Sequence, residues 1–318
     1  MTRVIPALLV LFISISSYSK SFNQKVLFWK GYSFSVNDPW VFLSTNEKER
    51  FEILLDFLGR SEFGKSLISA SKEKAKEFSD NKNLIEFFKK GSTSITDTTL
   101  SRHFPPSNPQ DISYTSKSMV YLDEGLTIGD AILDLAHELT HFSRRPTTNP
   151  YSEYFDLEFY IESTILGQGG ESEAFISECM VMRDLFLDRF NQDKNCLDLN
   201  SVESGSLTQR LVARKLFFKL GKHIGGFRKS LSKHHLPGDH FPHTASSEPV
   251  FISSNYDLPY PVAAIAEYES IMARVCKNDK RRLGYLKKQL KGKVDRSPAS
   301  YVYHEEQSRL RRRCKYFL

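Results

Sequence analysis

The ten residues Leu133–Phe142, LDLAHELTHF, constrain this 318-residue chain more than any other stretch. They hold His137, Glu138 and His141 in an H-E-x-x-H arrangement. On an α-helix, residues four apart lie one above the other, so the two imidazoles share a face and can fill two corners of a tetrahedral zinc site. Glu138 stands beside such a metal rather than on it, placed to take a proton from a metal-activated water. A chain with 9 His in 318 residues would contain this motif by chance roughly 0.03 times. Its neighbours predict the helix. Ala131, Ile132, Leu135, Ala136 and Leu139 recur at helical spacing, Asp130 is the expected N-cap, and Pro146 is the expected stop.

The remaining composition bounds the setting. A chain of this length buries a large core as one domain, or one domain with a subdomain. A formal charge of +6 is too small to argue for nucleic acid as a partner. Residues 1–19 read as a cleaved signal peptide. Arg3 supplies the positive n-region, Val4 to Ile15 a short apolar h-region, and Ser17, Tyr18 and Ser19 the cleavage site. The apolar run falls short of the roughly 20 residues a membrane span needs. The expectation is a secreted or periplasmic protein in an oxidising compartment. Its four cysteines follow no CxxC spacing; the local pairings are Cys179–Cys196 and Cys276–Cys314, with a free buried thiol at Cys179 as the alternative.

Three further segments follow the signal. Residues 20–43 form an extended aromatic arm or short strands, broken at Asp38-Pro39. Residues 44–215 are the expected catalytic domain. Ser44 and Glu47 fit a capping box for a helix carrying Phe51, Leu54, Leu55 and Leu58. A second helix starts near Ser61, and Lys72–Lys90 continues as helix. Gly91–Ser116 reads as a Ser-, Thr- and Pro-rich loop, and Ser118–Asp123 as a short strand before the HELTH helix. Such a strand could line a cleft and pair with an extended peptide. Residues 216–318 form a helical basic region, with Lys and Arg concentrated at Lys277–Lys293 and Arg309–Lys315. That region reads either as a solvated helix face or as a surface for an anionic envelope.

Two histidines need a third protein ligand, with a fourth position open for catalysis. A third His six residues after the second is absent, since Thr147 stands there. A carboxylate early in a helix packed on the HELTH helix is the best solution, and Glu171 and Glu173 both qualify. They lie roughly 200° apart on a helix, so at most one faces the metal.

HELTH followed by Glu173-Ala-Phe-Ile-Ser177-Glu178 resembles the gluzincin class of zinc metallopeptidases, which includes thermolysin-like enzymes and lethal-factor-like toxin peptidases. The resemblance covers about Leu54 to Leu187. It implies an α+β, mostly helical zincin-like domain with a small sheet and an active-site helix. It also implies Zn2+ held by His137, His141 and Glu173, Glu138 as general base, and a peptide or protein substrate. The class usually carries an acidic residue four positions after the ligand Glu; here Ser177 stands there and Glu178 follows. Tyr256, Tyr260, His240 and His243 are unranked candidates for oxyanion stabilisation. The expected activity is peptide hydrolysis. The rivals are a zinc-binding protein without activity and a basic envelope-binding protein with an incidental HELTH.

Overall fold

The structure is a computed structural model. It describes residues 26–317 apart from 80, 201–210, 212–213, 244–247 and 291–297. The expected signal peptide, Leu207, Lys291 and Lys293 lie outside the described residues. Over the described residues the chain is α+β, with one three-stranded sheet, two small hairpins and a majority of helix.

The chain begins with a hairpin, β1 (Val26–Trp29) and β2 (Tyr32–Ser35). Its turn is Lys30-Gly31, both at positive φ, the geometry a two-residue hairpin loop demands. Trp40 then anchors the arm: it is fully buried, and its indole N–H donates to the Asp123 carbonyl at 2.7 Å. Helices α1 (Glu47–Leu58) and α2 (Glu62–Phe78) follow as a tight pair. A Cβ added at Gly64 would stand 2.1 Å from the Leu58 carbonyl oxygen, so only glycine permits that approach.

Several local expectations need correction. The cap of α1 is Asn46, whose side chain accepts from the N–H groups of Lys48 and Glu49; Ser44 instead donates to Glu49. The helix expected over Lys72–Lys90 ends at Phe78. A 3₁₀ turn at Leu84–Phe87 then leads into β3 (Phe88–Gly91). The expected loop Gly91–Ser116 holds a nine-residue strand, β4 (Ile95–His103), and the loop proper is confined to its Pro-containing end. β5 runs from Ser113 to Asp123, further back than the apolar residues alone suggest. The sheet order is β3-β5-β4, with β3 parallel and β4 antiparallel to β5. β4 is therefore an edge strand.

Helix α3 (Ile128–Arg144) lies at the centre, packed on α1, α2, β5 and α5. Its N-cap is Thr127 rather than Asp130: the Thr127 hydroxyl oxygen accepts from the Asp130 N–H at 3.2 Å and donates to its carboxylate at 2.7 Å. Ala131, Ile132, Leu135, Ala136 and Leu139 are all fully buried. Each large aliphatic side chain so buried contributes roughly 1.5–3 kcal/mol, which makes α3 a rigid base for the residues it carries.

After α3 come α4 (Leu157–Ile165), α5 (Glu171–Leu185), α6 (Leu187–Phe190), α7 (Lys194–Asn200) and α8 (Ile224–Lys233). A minimal hairpin, β6 (Ile252–Ser253) with β7 (Leu258–Pro259), precedes α9 (Tyr260–Leu290) and α10 (Pro298–Arg313). The long helix α9 thus runs through most of the basic segment Lys277–Lys293. Both local cysteine pairs are disulfides, Cys179–Cys196 tying α5 to α7 and Cys276–Cys314 tying α9 to the end of α10. Part of the basic segment works inside the protein. Arg282 is buried and reaches Glu306 at 2.7 Å, and Arg102 of β4 pairs with buried Asp279. Lys277, Lys280, Arg281, Lys287 and Lys288 remain exposed. Among the described residues, no helix is long and apolar enough to cross a membrane.

Candidate metal centre

The middle of α3 brings His137, Glu138 and His141 together with ligand-capable atoms within 4.8 Å of one another. The start of α5 faces them. Glu171 Oε2 lies 3.2 Å from His137 Nε2 and 3.4 Å from His141 Nε2. Two ligands at about 2.05 Å from a tetrahedral zinc ion are separated by about 3.3 Å, so Glu171 Oε2 stands from each of the two histidine nitrogens at the spacing of a zinc ligand pair.

Glu173, the third ligand implied by the family resemblance, is placed elsewhere. Its Oε1 pairs with Arg144 at 2.5 Å, and its Oε2 accepts from the Gly169 N–H at 2.6 Å. The two glutamates are two residues apart on α5, so when one faces the α3 histidines the other turns toward Arg144 at the end of α3. Gly170 caps this helix without a side chain, and its first turn is acidic, in keeping with the helix dipole.

The other atoms of these side chains are also engaged. His141 Nδ1 lies 2.8 Å from the Gly169 carbonyl oxygen, an acceptor that suits the tautomer with Nδ1–H, in which Nε2 keeps its lone pair for a metal. Gly169 has φ +63°, and a Cβ there would come within 2.3 Å of the Arg145 nitrogen, so the position requires glycine. His137 Nδ1 lies 3.6 Å from Glu178 Oε2. Ser177, the alternative to Glu178, gives its hydroxyl to the Glu173 main-chain oxygen at 2.9 Å. Glu171 Oε1 is met by Arg145 at 3.3 Å, and the Arg145 Nε–H donates to Gly169 O at 3.1 Å.

Electrostatics follow this geometry. Burial opposes charge on His137, but hydrogen bonds to Glu171 and Glu178 outweigh it and hold the imidazole well above its ordinary value in the metal-free protein. Burial likewise opposes charge on Glu171, and the two histidines, His141 first, override it and hold the carboxyl well below its usual range. The pocket therefore favours a positive charge between these three side chains, which a divalent cation supplies. Asp134, one turn before Glu138, behaves oppositely. Burial pushes it up to about 6, a hydrogen bond with Ser94 opposes the rise, and Glu178 adds to it.

Of the four oxyanion candidates, Tyr260 is the one beside the centre. Burial raises its phenol well above the ordinary value, Glu171 and Glu138 add to this, and Glu171 shares a hydrogen bond with it. His240 instead pairs with Glu158 at 2.8 Å, and His243 binds the Phe241 carbonyl at 2.6 Å. Tyr256 feels Glu267 rather than the metal-site carboxylates.

Beside the centre runs a groove of about 820 Å³. All eight consecutive residues from Ile95 to Arg102 border it. Side chains of a strand alternate between faces, so a run of eight consecutive residues is met only along the strand's edge. The groove is also lined by Tyr151, Phe155, Phe159, Tyr160 and Ile271. Thr96 of β4 donates to Glu138, a contact sequence reading missed because β4 itself read as loop; the β-branched run Ile95-Thr96 and Thr98-Thr99 was the available signal. Neither a protein-family model, a curated protein nor a solved structure matches this chain.

Proposed function

We propose that the chain is an exported zinc metallopeptidase of the gluzincin type, with His137, His141 and Glu171 as metal ligands and Glu138 as general base. The observation that carries this reading is Glu171 Oε2 at zinc-ligand spacing from both His137 Nε2 and His141 Nε2, with Glu138 beside them. A zinc ion bound there supplies a Lewis acid for a scissile carbonyl and lowers the pKa of a water to about 7. Glu138 accepts a proton from the attacking water and returns it to the leaving amine. Tyr260 stands next to this pair, with its phenol protonated and able to donate. The free edge of β4 supports an extended peptide as substrate, bound through main-chain hydrogen bonds with side chains toward the aromatic lining. Two disulfides and the signal-like start of the sequence support an oxidising, extracytoplasmic location.

The test is metal analysis of the purified protein, with His137→Ala as control, followed by turnover of a peptide library. Glu138→Gln is expected to retain zinc and to lose hydrolysis by at least ~10²–10⁴-fold. A wild-type protein that holds zinc but cleaves nothing would leave a zinc-binding protein without activity. A protein without metal would overturn the whole reading.

A further inference from the structure

The Thr96 hydroxyl has one proton and two acceptors within reach. Its Oγ1 lies 2.7 Å from Glu138 Oε2 and 2.9 Å from the main-chain oxygen of the same residue. Among the described residues, Thr96 is the side chain that donates to the Glu138 carboxylate. Glu138 is buried and Thr96 sits on the strand that edges the groove, so the contact joins the groove wall to the site on α3.

A general base must be held in place in both of its protonation states. Thr96 meets this need: its hydroxyl donates to an oxygen of the ionised carboxylate, and once Oε1 carries the proton Oε2 remains a carbonyl oxygen that still accepts. With Oε2 occupied by Thr96, Oε1 is the oxygen left for the water.

We propose that Thr96 is a positioning residue for Glu138. Its hydroxyl, set between Glu138 Oε2 and the main-chain oxygen of the same residue, fixes the carboxylate so that Oε1 faces the water. The proton itself passes from water to Oε1 and from Oε1 to the leaving amine nitrogen, and Thr96 neither gains nor loses one. This inference rests on the peptidase reading above.

The experiment compares Thr96→Val and Thr96→Ser in the full, zinc-loaded chain. It uses a peptide the wild type cleaves and also measures affinity for a peptide hydroxamate, which hands a proton to the same glutamate. Thr96→Val keeps the β-branched shape without the hydroxyl. It is expected to lower kcat roughly tenfold or more, with KM and zinc content unchanged, since a hydrogen bond to a charged group is lost. Hydroxamate affinity should fall by a similar factor, and Thr96→Ser should restore most of both. In a Glu138→Gln background the valine substitution should cost nothing further. If valine accumulates poorly, Thr96→Ala carries the same comparison. Turnover and hydroxamate binding at wild-type level in the valine or alanine protein would overturn the positioning role alone. So would a serine variant as poor as valine. An inactive wild type would overturn the peptidase reading, and this inference with it.

Discussion

Arg144 holds the Glu173 carboxylate at 2.5 Å, on the side of α5 turned away from His137 and His141. Glu171, two residues earlier, takes the place beside the histidines. Glu171→Ala should therefore empty the metal site, while Glu173→Ala should keep its metal. The latter loses a partly exposed ion pair, worth about 1 kcal/mol at most, and the hydrogen bond from the Gly169 N–H, but no metal ligand. Metal content of the two purified variants checks this, and the opposite pattern would require α5 to be rotated.

The contact between His137 Nδ1 and Glu178, at 3.6 Å, predicts a second effect. Groups that orient a metal-bound imidazole typically change metal affinity by ~10–100-fold. Glu178→Gln should weaken zinc binding within that range, measured by competition with a chromophoric chelator. Ser177→Ala, whose hydroxyl stays on the Glu173 main chain, should leave affinity unchanged.

Asp134 gives a pH signature in the chelator-treated protein. Its carboxyl is raised from 3.8 to about 6 by burial, so the folded state prefers it protonated. The stability this confers is complete below about pH 4 and is lost as pH rises through 6. Asp134→Asn removes the loss. It should stabilise the metal-free protein at pH 7.5 by roughly 3 kcal/mol at most, with the gap closing toward pH 4. Urea unfolding at the two pH values measures it, and a variant no more stable at pH 7.5 would contradict the raised carboxyl.

Much of the site was legible because it depends on helix period alone. His137 and His141 share a face by spacing, and Ala131, Ile132, Leu135 and Leu139 mark the buried side that fixes this face. The choice between Glu171 and Glu173 was not legible. It depends on the rotation of α5 about its axis, which is set by packing against α3 and by Arg144, residues distant in sequence. β4 was hidden for a different reason. Its residues Thr96 to Thr99 are polar because the strand is an edge facing a groove, and an edge strand lacks the apolar alternation that reveals a strand half-buried in a core. Caps were misplaced by two or three residues, Asn46 for Ser44 and Thr127 for Asp130, since neighbouring Ser, Thr, Asn and Asp compete for the same role.

The two histidines are oriented by different kinds of partner, and this makes them unequal before mutation. His137 leans on Glu178, a side chain that a single codon change removes. His141 leans on the carbonyl of Gly169, which every amino acid possesses. No substitution can delete that acceptor; only a residue too large for the left-handed position can displace it. Genetic drift can therefore loosen the metal site gradually through Glu178, while at residue 169 variation is all or nothing. Random mutagenesis should return graded alleles at 178 and only intact or null alleles at 169.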